Sequence, residues 1–259
     1  MEISICTLLA GRFQTIEPYF WGLSILDYPK EKINLLFLTN SDNQDFLEII
    51  EKRINNLKGY KSVRFLKTDI VPPSSNAFIE GGIHTNQHAE VIAKLYNELY
   101  EHIETEYFLS LEDDIIAPSN AIKGLLQCFN DEKVGYACGT QMNRHTKLYD
   151  SVFIWDLGYK NVFGDNDVCQ EKSYYGMDLR KPWGIREIGL GHLGLTMLKK
   201  SICEKLPKPI FKPYSDYSDS GALKGCDMVL CLELDKLGYK RMANFDVRGL
   251  HMDSQSRIH

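Results

Sequence analysis

Three consecutive carboxylates, Glu112, Asp113 and Asp114, directly follow the short apolar run from Tyr107 to Leu111. The run reads as a buried strand, and Pro118 and Ser119 close the segment. Adjacent carboxylates repel each other, and desolvating them is costly unless something compensates. A hard divalent cation, Mg²⁺ or Mn²⁺, is the simplest compensation. Such ions favour one or two carboxylates together with phosphate oxygens and water. An acidic triplet at the carboxyl end of a strand therefore suggests a metal that holds a phosphorylated substrate. The same three residues would also suit a solvated loop whose acids cap a helix, so the surrounding elements decide between the readings.

Strands are expected over 3–10, 33–39, 62–67 and 107–111, and helices over 15–27, 44–58 and 88–103. The first helix rests on Ile16, Tyr19, Phe20, Leu23 and Leu26 at helical spacing, with Pro29 as its stop. The second rests on Phe46, Ile49, Ile50, Ile54 and Leu57. This β-α alternation argues for an α/β fold with a mostly parallel sheet flanked by helices. Ligands on such sheets bind at the carboxyl ends of the strands, where the acidic triplet lies. The second half is less regular. Helices are expected over 119–130, 194–205 and 227–237, with Gly238 as the C-terminal stop of the last. Strands are expected over 135–139 and 240–247, with His251 following. Between them, 141–185 is rich in Tyr, Trp, Asp, Asn and Gly, and 211–224 reads as a polar loop. Long irregular stretches of this kind are usually functional.

Composition narrows the class. The 259 residues are 44% hydrophobic and 25% charged, with a formal net charge of −5. That is ordinary for a soluble globular protein and favours neither nucleic acid nor an anionic membrane as a general partner. No apolar run approaches the roughly 18 residues of a membrane span. The segment Met1–Gly11 lacks a basic leader region and reads as a first strand. The 7 cysteines are scattered and form no Cys-x-x-Cys pair, which fits reduced thiols in a cytoplasmic protein.

Three features occur in order: the triplet Glu112–Asp114, then Gly225-Cys226-Asp227 opening a helix that ends at Leu237-Gly238-Tyr239-Lys240, then a strand leading to Gly249-Leu250-His251. This order resembles the GT-A glycosyltransferases, in particular the inverting family 2 group, and the likeness covers about residues 3–253. The resemblance implies a single GT-A domain over 1–259, with a nucleotide-sugar-binding half to about 118 and an acceptor and catalytic half from about 119. It implies Mn²⁺ or Mg²⁺ as cofactor and a UDP- or GDP-sugar as donor, with the acceptor unidentified. Glu112, Asp114 and His251 would then hold the metal, Asp113 would face the ribose or a sugar hydroxyl, and Asp227 would be the catalytic base. A helix start would keep Asp227 ionised. Two residues depart from the family pattern. Glu112 stands where the metal motif begins with Asp, and Cys226 stands where the base motif has Glu. A retaining enzyme could share the same metal site without that base.

On the donor side, Thr7, Ala10 and Arg12 follow or end the first strand, and Arg12 could reach a phosphate. The resemblance makes Asn40, Asp42 and Asp69, at the ends of the next two strands, candidates for contact with the nucleobase, and Lys94 for contact with the diphosphate. Trp183 and His192, in a glycine-rich segment, are the acceptor candidates, with Trp155, Tyr174 and Tyr175 shaping the same cleft. Exposed turns, a solvated lysine and core packing are the plain structural alternatives for these positions. Two other functions fit parts of the pattern. A nucleotidyltransferase would need a glycine-rich phosphate loop, for which only Leu9-Ala10-Gly11-Arg12 is available. A catalytically silent GT-A domain would bind a glycan or a protein.

Overall fold

The computed structural model describes residues 1–72, 78, 79, 83, 84, 86–141, 184–215 and 223–252. Its first half follows the expected alternation. β1 (Ile3–Leu9), α1 (Phe13–Ser24), β2 (Ile33–Thr39), α2 (Gln44–Asn55) and β3 (Ser62–Lys67) come in turn. A small hairpin of β4 (Phe78–Ile79) and β5 (Ile83–His84) leads to α3 (Asn86–Glu101) and β6 (Tyr107–Leu111). Then come β7 (Ile115–Ile116), α4 (Ala121–Leu126) with a following 3-10 turn, β8 (Val134–Gln141) and β9 (Ile185–Glu187). The chain continues through β10 (Leu195–Lys199), α5 (Lys200–Cys203), β11 (Tyr214–Ser215), β12 (Leu223–Lys224), α6 (Cys226–Lys236) and β13 (Lys240–His251).

The main sheet has the order β3-β2-β1-β6-β10-β8-β13-β7, with β9 also paired to β13. Strands β3, β2, β1 and β6 are mutually parallel, as are β8 and β13. β10 runs antiparallel to both of its neighbours, β6 and β8. The strands are apolar on both sides because both faces are covered. Ile3, Ile5, Leu35, Phe37, Leu109 and Leu111 pack under α1, α2 and α4. Cys6, Leu36, Leu38 and Phe108 pack under α3 and α6. Each such Leu, Ile or Phe, fully buried, stabilises the fold by about 1.5–3 kcal/mol.

Several expectations need correction. Residues 195–199 form a strand where a helix over 194–205 was expected, and only Lys200–Cys203 is helical. Leu195, Met197 and Leu198 are wholly buried, and a short apolar run buried on both sides carries no period that separates strand from helix. α1 ends at Ser24, before Pro29, where the Ile25 N–H turns back to the Trp21 carbonyl. Ile49, expected on the inner face of α2, is 41% exposed. His251 lies within β13 and not beyond it. The described cysteines are free and buried. Among the described residues, no helix is long and apolar enough to cross a membrane.

Candidate active site

The acidic triplet is clamped at the junction of the two halves. The Glu112 N–H donates to the Gly194 carbonyl at 2.9 Å, just ahead of β10, and the Met252 N–H donates to the Asp114 carbonyl at 2.9 Å, just beyond β13. A tight turn joins the Ile115 N–H to the Glu112 carbonyl at 3.1 Å and starts β7. The backbone therefore fixes the triplet at the carboxyl end of β6, where β1, β10 and β13 converge.

The side chains divide into two groups. Asp113 and Asp114, 3% and 1% exposed, turn toward the end of β1. Asp113 Oδ2 accepts from the Ala10 N–H at 2.8 Å, and its Oδ1 lies 3.7 Å from Arg12 Nη1. Arg12 Nη1 also donates to Asp114 Oδ2. Burial opposes the charge on this guanidinium, but the fields of Asp113 and Asp114 outweigh it and hold it protonated. His251 Nε2 stands 3.6 Å from the same Asp114 oxygen. Ala10, Arg12, Asp113, Asp114 and His251 thus form one cluster.

Glu112 faces elsewhere. A methyl group at Gly194 would lie 3.1 Å from Glu112 Oε2 and 2.5 Å from Gln141 Oε1, so both side chains fold over the bare Gly194 backbone. Asp227 opens α6, with Oδ1 accepting from the Met228 N–H at 2.8 Å. Burial and then the negative fields of Glu112 and Asp227 push up the Tyr96 phenol, and the same two carboxylates act on the Cys226 thiol. Glu112 and Asp227 therefore share one region between α3 and the start of α6. Burial raises the Asp227 carboxyl to about 6, against the pull of the backbone N–H groups. The backbone N–H groups at the helix start do not overcome desolvation, so the carboxyl stays raised. At neutral pH the group is still mostly ionised, with a basicity suited to accepting a proton.

Asp114 and His251 place a carboxylate oxygen and an imidazole nitrogen 3.6 Å apart, donor types that a divalent ion would accept. Hard cations of this kind need few protein ligands when phosphate oxygens and water complete the shell, so this pair fits a divalent ion. Glu112 lies toward Gly194, and its field also reaches Arg12. Among the described residues, no group of three His, Cys, Asp or Glu side chains is arranged to hold a metal.

The remaining sequence candidates scatter. Thr7 is fully buried with its hydroxyl 2.5 Å from Tyr19 Oη, so it supports the end of β1 from behind and offers nothing to a ligand. Asn40 is half-buried at the end of β2, and Asp42 and Asp69 are exposed beyond β2 and β3. Lys94 is exposed on α3 and lines a groove with Asn97, Pro209, Phe211 and Lys212, which the acidic triplet does not enter. His192 is 3% exposed, with Nε2 3.1 Å from the Gly139 carbonyl. Burial, opposed by that hydrogen bond and aided by His251, lowers it to about 4. It is a neutral core histidine, not a surface for stacking a sugar. Trp183, Trp155, Tyr174, Tyr175 and the segment 216–219 lie outside the described residues. Sequence reading missed Gln141. Its place two strands along the sheet from β6 is set by distant pairings and leaves no local sequence signal.

Comparison with known proteins agrees with this architecture. No protein-family model matches the chain. A hyaluronan synthase of Streptococcus pyogenes is 29% identical over 145 residues, which cover 55% of this chain and 30% of that protein. The chain thus spans under a third of the length of the curated relatives it matches. Among solved structures, a mannosyltransferase from Pyrobaculum calidifontis in complex with GDP-Man and Mn²⁺ superposes with a TM-score of 0.61 at 12% identity, covering 96% of this chain and 56% of that one. TarS 1–349 of S. aureus in complex with UDP-GlcNAc superposes with a TM-score of 0.54 at 11% identity, covering 96% and 57%. The fold is GT-A, of the kind found in family 2-like glycosyltransferases, and these relatives and neighbours are glycosyltransferases.

Proposed function

We propose that this chain moves a sugar from a nucleotide-diphospho-sugar to an acceptor hydroxyl, with inversion, on a GT-A scaffold. One observation carries the reading. Two carboxylate groups differ in character: the Asp113–Asp114 pair beside Arg12 at the end of β6, and Asp227 at the start of α6, raised to about 6. The first has the chemistry to seat a diphosphate through a cation, and the second to take a proton. The GDP-Man and Mn²⁺ of the mannosyltransferase and the UDP-GlcNAc of TarS support a donor of this class. Reduced, buried thiols suit a cytoplasmic setting.

In this mechanism Asp227 accepts the proton of the acceptor hydroxyl while the hydroxyl oxygen attacks the anomeric carbon. The bond from that carbon to the phosphate oxygen breaks, and the nucleoside diphosphate leaves with the electron pair. Asp113, fixed by Ala10, faces the ribose, and Arg12 is free to turn from the carboxylates to the leaving phosphates. A divalent ion held by Asp114 and His251 would supply Lewis-acid stabilisation of the departing charge.

The test is thermal unfolding with UDP, GDP and their sugar conjugates, with and without Mn²⁺. Binding raises the midpoint by mass action. A metal-dependent rise with one donor, abolished in Asp114→Ala, is expected. No rise with any nucleotide, in metal or out of it, sinks the donor reading. Release of pyrophosphate in place of nucleoside diphosphate would assign nucleotidyl transfer.

A further inference from the structure

Gln141 ends β8 and is only 7% exposed, yet among the described residues its buried Oε1 has no hydrogen-bond partner. A buried acceptor left unsatisfied costs about 1–3 kcal/mol, and native proteins rarely keep one without a use for it. The oxygen is not in an apolar void. It lies over Gly194 with Glu112 Oε2 beside it, at 2.5 Å and 3.1 Å respectively from the point a Gly194 methyl would occupy. Any side chain at residue 194 would fill this niche.

The niche sits between the two halves of the chemistry. Gln141 pairs with Gly249 across the β8–β13 ladder, two residues ahead of His251. Glu112 adjoins Asp113 in the chain and shares the Tyr96 and Cys226 region with Asp227. A ligand group here would therefore lie between the diphosphate end and the base. Its chemistry is also restricted. Gln141 presents its amide oxygen and its amide nitrogen at 2.5 Å and 3.0 Å from the Gly194 methyl point, and Glu112 a carboxylate oxygen at 3.1 Å. Glu112 repels phosphate, whereas hydroxyls on a sugar ring both donate and accept and so match a lining that holds both kinds of group.

We infer that Gln141 and Glu112, converging over Gly194, form the subsite that binds the hydroxyls of the transferred sugar and so select the donor. This rests on the glycosyl-transfer reading, and it makes Gln141 a specificity residue rather than a catalytic one.

The experiment compares Kd for UDP, GDP, UDP-GlcNAc and GDP-Man by calorimetry with Mn²⁺, in the wild-type chain and in Gln141→Met. Methionine keeps the length of the side chain and removes the orphaned oxygen, so the unliganded variant should unfold at the same temperature or higher. Expected is a roughly threefold to tenfold weakening of the preferred nucleotide-sugar, the loss of one neutral hydrogen bond, with the bare nucleotide unchanged. Gly194→Ala should produce the same split by filling the niche. If sugar conjugate and bare nucleotide weaken together, or neither changes, the subsite is not there. A fall in unfolding temperature with both affinities intact would make Gln141 a packing residue. A raised KM for acceptor at constant donor affinity would also overturn the assignment. Failure of the wild-type chain to bind any of the four probes is a different result, because it removes the donor site itself.

Discussion

Asp227 and His192 are both buried against their charged forms, and the two consequences for pH run in opposite directions. The Asp227 carboxyl stands at about 6 in the folded chain, against about 3.9 when unfolded. Between those values the native state holds a proton that the unfolded chain has released, so stability falls as pH rises through the window. His192 stands at about 4 when folded, against about 6.5 unfolded. There the unfolded chain takes up the proton first, so stability falls as pH drops through the window. The wild-type protein should show little net slope between pH 4 and 6 because the two effects offset each other. Asp227→Asn should uncover the histidine effect as a steeper acid loss, and should stabilise the chain at pH 7.5 by about 1–3 kcal/mol. Its turnover should fall about 100-fold or more. In the wild type, kcat/KM should rise with pH through about 6 and then level, as the base loses its proton. Urea midpoints at several pH values check the first part. Parallel stability profiles for wild type and Asp227→Asn would refute it.

At the scale of elements, β8 decides how tightly the sheet closes around the triplet. Gly139 lies on β8 where an added methyl would meet the Val247 carbonyl at 2.8 Å and Leu195 Cδ2 at 2.7 Å. Because one contact is backbone, the neighbours cannot rotate away. Gly139→Ala should lower stability by about 1–3 kcal/mol by forcing β8 from β10 and β13, read as a shift in urea midpoint at unchanged slope. A variant as stable as wild type would show that the strands have slack here. The same region marks where the sequence stopped being readable. β2 and β3 matched their expected spans because strands bounded by polar turns announce themselves locally. β10 did not, since Leu195, Met197 and Leu198 are buried on both sides and their antiparallel placement depends on β6 and β8, far away in the chain. Asp113, Asp114 and Asp227 were legible as charges at element ends, where chemistry and local pattern coincide. The niche at Gly194 was not, because it is made by a contact between residues 112, 141 and 194 that no local signal encodes. Thr7 and His192 show the complementary difficulty: both are buried, and polar residue types say nothing of which side of an element they occupy.

The two halves expected to meet near residue 118 within one domain share strands in the molecule. β10, from the second half, is hydrogen-bonded to β6 of the first, and β7, from the first, pairs with β13 of the second. Each half therefore supplies a strand to the other's side of the sheet, and both helical layers span the junction. Urea unfolding followed by far-ultraviolet and near-ultraviolet dichroism should give one coincident transition. Two resolved transitions would mean that the halves are stable apart and that the shared strands contribute little.

The Met252 N–H bonded to the Asp114 carbonyl has a practical corollary for anyone handling this protein. Met252 stands beside Asp114 at the candidate site, so a purification handle or fluorescent fusion attached close after it begins near the place proposed for ligand entry. Met1, 62% exposed and leading into the amino end of β1, lies at the opposite edge of the parallel strands. Handles belong on that end, and immobilisation through it would leave the reactive edge facing the solution.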